Sequence, residues 1–114
     1  MTEAEYILEF KKRWPRDDDA SLETLKLAEE AVRAFPASAR LWMIRGDLIQ
    51  LGPESSPYSL EDALASYQRA IEVDPEFAEA WDEIGHYYDA ILDDETAAQK
   101  HFEHAARLRD EAAK

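Results

Sequence analysis

Residues 81–102 read WDEIGHYYDAILDDETAAQKHF, and their spacing decides the fold. Trp81, Ile84 and Tyr88 fall on one stripe of a 3.6-residue helix, so all three can face the same neighbour. Gly85 lies inside that stripe, where it costs a helix about 1 kcal/mol relative to Ala. The cost makes sense if a second helix crosses there, because a residue with no side chain lets two backbones come close. After a turn around Asp93 and Asp94, a second stripe follows at Ala98, Phe102 and Ala105. The two alanines are expected to be the small counterparts of Gly85, with Phe102 filling the space between them.

The same pattern occurs upstream. Trp42, Arg45, Gly46 and Ile49 are followed by Ala63, Tyr67, Ala70 and Pro75, with the same spacing inside each helix. Trp42 and Trp81 stand 39 positions apart. The stretch between the upstream helices, GPESSPYSL from Gly52 to Leu60, is a Gly/Pro/Ser loop where a tight turn would suffice.

These two units resemble the tetratricopeptide repeat. Trp81, Ile84, Gly85 and Tyr88 match the first helix of that repeat, and Ala98, Phe102 and Ala105 match the second. The usual period is about 34 residues, so the loop from Gly52 to Leu60 accounts for the excess. The chain departs from the family pattern in one extra residue near Asp93 and in Asp110, where the family usually has Pro. The resemblance implies an all-α, right-handed superhelix of about three antiparallel helix pairs, six helices in one domain over residues 1–114. The units would be a degenerate repeat at 2–36, a repeat with a long loop at 37–75, and a third at 76–112.

From the start of the chain, Thr2 to Trp14 reads as a helix. Thr2 is a candidate cap, and Tyr6, Phe10 and Trp14 recur at i+4. Pro15 ends it. Lys11, Lys12 and Arg13 suit the negative end of that helix. Ser21 to Phe35 is a second helix, with Leu22, Leu25, Ala28, Val32 and Phe35 on one face and Ala28 where the repeat usually has a large aromatic. Helices follow over Ser38 to Leu51, Leu60 to Val73, Glu76 to Leu92, and Glu95 to about Ala112.

Composition excludes several functions. No cysteine is present, so disulfides, thiolate metal sites and a Cys nucleophile are excluded. No segment approaches 18 apolar residues, and the acidic N-terminus does not resemble a signal peptide. A cytoplasmic location is the expectation. The net charge of −13 argues against nucleic acid and anionic membrane as partners, since both need clustered Lys and Arg.

In the family, the first helix of each pair lines a concave groove that holds an extended peptide or a partner helix. Carried onto this chain, the groove positions are Arg40, Met43, Asp47, Gln50 and Leu51 in the second unit. In the third they are Glu79, Asp82, Glu83, His86, Asp89 and Ala90. The Lys/Arg/Asn clamp that some members use for a C-terminal carboxylate is missing. Acid takes its place: from Ala70 to Gln99 there are ten Asp or Glu and no Lys or Arg. An acidic face kept for solubility is the ordinary reading, and a groove for a basic peptide is the functional one, with Met43, Leu51 and Tyr87 as apolar contacts. Arg45 replaces a repeat Leu and is expected to pair with Glu72, Asp47 or Asp82 while its stem packs.

No catalytic motif is present. There is no Gly-rich phosphate loop, GxSxG or HExxH, and His101 and His104 read as two exposed histidines. A non-catalytic adaptor or scaffold with no cofactor or metal is therefore expected, binding a protein or peptide partner of basic character. The alternative is self-association through the last helix, with Leu108 on its outward side.

Overall fold

A computed structural model describes all residues, 1–114, and is entirely helical. The helices are α1 (Glu3–Arg13), α2 (Leu22–Ala34), α3 (Ala39–Gln50), α4 (Leu60–Val73), α5 (Ala78–Ala90) and α6 (Glu95–Ala112). No helix is long and apolar enough to cross a membrane.

Short polar side chains set most of the helix starts. Thr2 and Ser59 each form a capping box, with Glu5 and Asp62 reaching back to the cap. Ser21, Ser38 and Asp94 accept from the backbone N–H three residues on. α5 is shorter at both ends than the sequence suggests. At its start, the Glu76 N–H donates to Asp74 Oδ1 and keeps residues 74–76 outside the helix. At its end, the Tyr87 carbonyl takes the N–H groups of both Ile91 and Leu92, and the chain reverses through Asp93 at φ 51°. That left-handed residue is tolerated because Asp is among the few non-Gly residues that adopt it.

α3 packs on α4 and α5 on α6, and these two pairs use the same contacts. Trp42 Nε1 donates to the Pro36 carbonyl at 2.9 Å, and Trp81 Nε1 donates to the Pro75 carbonyl at 2.9 Å. A Cβ placed on Gly46 would lie 2.5 Å from Cε1 of Tyr67, and one on Gly85 would lie 2.6 Å from Cε1 of Phe102. Both distances are well inside carbon–carbon contact. The space that each glycine leaves is therefore filled by an aromatic ring from the second helix. The expectation of two close backbones needs this correction, because the ring, not the main chain, forbids a side chain at Gly85.

The first pair shows the opposite arrangement. Counted from the helix starts, Phe10 of α1 falls where Gly46 and Gly85 fall in α3 and α5. Ala28 stands as far before Pro36 as Tyr67 stands before Pro75. Phe10 and Ala28 are both buried in the main core cluster with Leu25, Val32, Leu41 and Leu48. The large residue stands on the first helix in this pair and on the second helix in the other two. Tyr6 secures the pair further: its ring meets Phe35 edge-on at 6.1 Å, and its hydroxyl donates to Glu30 at 2.8 Å.

Arg45 lies between α2, α3 and α4. Its Nε donates to Glu29 Oε2 at 2.9 Å, a second nitrogen donates to Ser66 Oγ, and the guanidinium sits over the ring of Tyr58. None of Glu72, Asp47 or Asp82 is its partner. Glu29 is closer because α2 packs on α3, and Tyr58, from the loop between α3 and α4, donates to the same carboxylate at 3.4 Å. The long loop thus returns to cover this ion pair.

Candidate partner-binding cleft

α1, α3 and α5 meet at an open cleft of about 240 Å³ lined by Trp14, Asp47, Gln50, Leu51 and Glu83. Trp14 and Leu51 are the C-terminal caps of α1 and α3, which brings an apolar side chain from each helix end to the same rim. Leu51 is 41% exposed, although large apolar residues are usually covered.

A chain of hydrogen bonds leads from the rim to the floor. Gln50 Nε2 donates to the Tyr67 hydroxyl at 2.7 Å, and that hydroxyl donates to Asp47 Oδ1 at 2.7 Å. Tyr67 is fully buried, so α4 supplies the floor while α3 supplies the carboxyl. Burial, and then the negative charge of Glu83, push the Asp47 carboxyl up to about 8, against the Tyr67 hydrogen bond, which favours its ionised form. The Tyr67 phenol is also raised, first by burial and then by the Asp47 charge. Asp47, Glu83 and Asp89 take part in no ion pair.

Of the other sequence-derived positions, some are paired within the chain and others are exposed. Arg40 pairs with Glu79 at 3.0 Å across α3 and α5, and its guanidinium lies 5.3 Å from the Phe77 ring centroid. Asp82 pairs with Arg109 of α6 at 2.5 Å. Met43 is half-buried against the main core, and Tyr87 is buried. His86 is exposed, and its ring meets Phe102 edge-on at 4.9 Å. Asp89 and Ala90 are exposed at the end of α5.

His101 and His104 are half-buried, not exposed. His101 stacks on Tyr88 at 5.1 Å, and His104 meets Trp81 edge-on at 4.2 Å. Their i+3 spacing places both against the aromatic stripe of α5. No three His, Cys, Asp or Glu side chains converge in an arrangement able to hold a metal.

Two residues of the cleft were not singled out as binding positions from the sequence. Trp14 belongs to an apolar stripe in the sequence, and in the structure it caps the C-terminal end of α1 as Leu51 caps that of α3. Tyr67 is core, as its spacing indicates, and its hydroxyl also holds Asp47 and Gln50 of the cleft wall.

The outward side of α6 is polar. Where α4 has Leu64 and Ile71 among the residues packed on its neighbours, the matching positions of α6 are Gln99 and Ala106. Leu108 is half-buried and shares a hollow with Glu76, Glu111 and Ala112 rather than pointing outward. No large exposed apolar residue lies on α6.

No protein-family model matches the chain, and no curated protein matches it.

Proposed function

We propose that the chain is a non-catalytic, tetratricopeptide-like interaction module that receives a basic peptide or helix along α1, α3 and α5. One observation carries this reading: these three helices converge on a cleft whose carboxyls, Asp47 and Glu83, have no basic partner and stand beside the apolar rim of Trp14 and Leu51. A Lys or Arg side chain fits this combination, with its stem on the indole and its charge on the carboxyls. Asp89 extends the acid along α5. Glu79 and Asp82 are already neutralised by Arg40 and Arg109, so they contribute little.

Self-association through α6 is less well supported, because that helix presents Gln99, Lys100 and Glu103 outward and exposes no large apolar residue.

The test is fluorescence anisotropy with labelled Lys/Arg-containing peptides, comparing the natural chain with a Glu83→Gln, Asp89→Asn variant. Binding that falls about tenfold in the variant, equivalent to about 1.4 kcal/mol, supports the reading. It should also weaken with added salt, since exposed charges are screened over about 8 Å at physiological ionic strength. Peptides that bind both proteins alike at low and high salt contradict it.

A further inference from the structure

Once internal pairs are set aside, the helices on the two sides of the cleft carry opposite charge. On α1, Glu5 closes the capping box with Thr2, Glu9 pairs with Arg13 at 2.7 Å, and Glu3 accepts from the Ser38 hydroxyl at 2.7 Å. The two lysines of that helix, Lys11 and Lys12, are exposed and take part in no ion pair. On α5 the reverse holds: Glu79 and Asp82 are paired with Arg40 and Arg109, while Glu83 and Asp89 remain free of any cation.

Lys11 belongs to the cleft side of α1. It follows Phe10 as Asp47 follows Gly46 and His86 follows Gly85, so the three stand at one level of their helices. Trp14, three residues on, lines the cleft, as does Gln50 three residues after Asp47. Positions three apart are neighbours on a helix and positions two apart are not, so Lys11 adjoins Trp14 and Lys12 does not. Between the two charged sides, the end of α3 is held in place. The Leu51 N–H donates to the Asp47 carbonyl at 3.2 Å, and the Leu51 carbonyl accepts from the Ala20 N–H at 2.8 Å.

We propose that the segment received by this cleft is charge-ordered: an extended peptide with an acidic residue beside Lys11, an apolar residue on the rim of Trp14 and Leu51, and a Lys or Arg at Glu83 and Asp89. This rests on the reading of the cleft as a peptide site and adds an acidic end that a wholly basic peptide lacks. Packed helices stand about 8–10 Å apart, so α1 and α5 lie roughly 20 Å apart across α3, and an extended chain rising about 3.3 Å per residue spans them in about six residues. The acid and the base of the peptide should therefore be about six residues apart. Lys11 then repels a segment that is basic throughout, and Glu83 and Asp89 repel one that is acidic throughout.

Two labelled peptides of identical composition provide the test, by fluorescence anisotropy at physiological salt. Each carries one Glu, a central Leu and one Arg; in the first the Glu lies about six residues from the Arg, and in the second it is moved beside the Arg. The natural chain should bind the first about threefold to fivefold more tightly, the upper range for one exposed ion pair. That preference should vanish in Lys11→Glu and persist in Lys12→Glu, which makes the same change of net charge at the same helix end. Equal binding of the two peptides by the natural chain, a preference that survives Lys11→Glu, or one lost equally in Lys12→Glu would overturn the charge order and leave the cleft as a site for a basic segment. Binding of neither peptide would overturn both.

Discussion

Alanine at Gly46 and alanine at Gly85 should have different effects, although the two glycines occupy the same place in their helices. A Cβ at Gly46 would lie 2.5 Å from Tyr67, and at Gly85 2.6 Å from Phe102, so the initial clash is the same. The difference lies in the rings. Tyr67 is fully buried and tied by hydrogen bonds to Gln50 and Asp47, whereas the Phe102 ring is half-buried, forms no hydrogen bond and meets the ring of His86 edge-on. Forcing a methyl into a packed core costs about 1–3 kcal/mol. Displacing Tyr67 adds about 1 kcal/mol for each hydrogen bond broken. Better helix propensity returns about 1 kcal/mol in both variants. Gly46→Ala should therefore lose about 2–4 kcal/mol, while Gly85→Ala, with a ring free to turn outward, should stay within about 1 kcal/mol of the natural chain. Urea denaturation measures this directly. The corresponding fall in Tm for Gly46→Ala is about 8–16 °C for a domain of this size. Equal losses in the two variants, or a neutral Gly46→Ala, would refute the argument that the pinned ring makes the glycine necessary.

Three further outcomes follow from the ionised and buried groups. Glu29→Ala should destabilise by about 3 kcal/mol, because it leaves the Arg45 guanidinium covered and unpaired, while Arg45→Met should change stability by less than about 1 kcal/mol, since Glu29 keeps Arg33 at 3.3 Å; chemical denaturation compares them. The Asp47 carboxyl is raised in the fold from 3.8 to about 8, so its contribution to stability is fully present below pH 3.8 and is lost as pH rises through about 8. Asp47→Asn should accordingly raise stability at pH 9 by on the order of 1–3 kcal/mol and flatten the fall of Tm between pH 5 and pH 9; an unchanged pH profile would show that this carboxyl is not the cause. A basic peptide that binds the ionised carboxyls must displace the proton held there, so its affinity should rise with pH up to about 8 in the natural chain and stay level in Asp47→Asn, as anisotropy titrations across pH would record.

The helices were legible because their signals are local. Thr2, Ser21, Ser38 and Ser59 cap the helices that follow them, and Gly46 and Gly85 mark a close approach at matching positions. What occupies that approach was less legible, since a glycine indicates lack of room without indicating whether a backbone or a ring takes it. The first unit looked irregular because Phe10 and Ala28 exchange the large and small roles, and only a count from the helix ends reveals the exchange. Ion pairing was the least legible feature. Arg45 finds Glu29 on a preceding helix, and Glu79 and Asp82 find Arg40 and Arg109 on helices before and after them, because such pairs depend on how helices sit side by side. Sequence spacing orders residues along one helix and says nothing of the helix opposite. Among the expected groove positions, the acids left outside any ion pair are Asp47, Glu83 and Asp89.

The most direct test of the binding surface is a nuclear magnetic resonance titration of the isotope-labelled chain with a Lys/Arg-containing peptide. The account predicts that the shifts changing most belong to Trp14, Asp47, Leu51, Glu83 and Asp89, along the cleft shared by α1, α3 and α5. Changes concentrated instead on the outward residues of α6, such as Gln99 and Glu103, would contradict it.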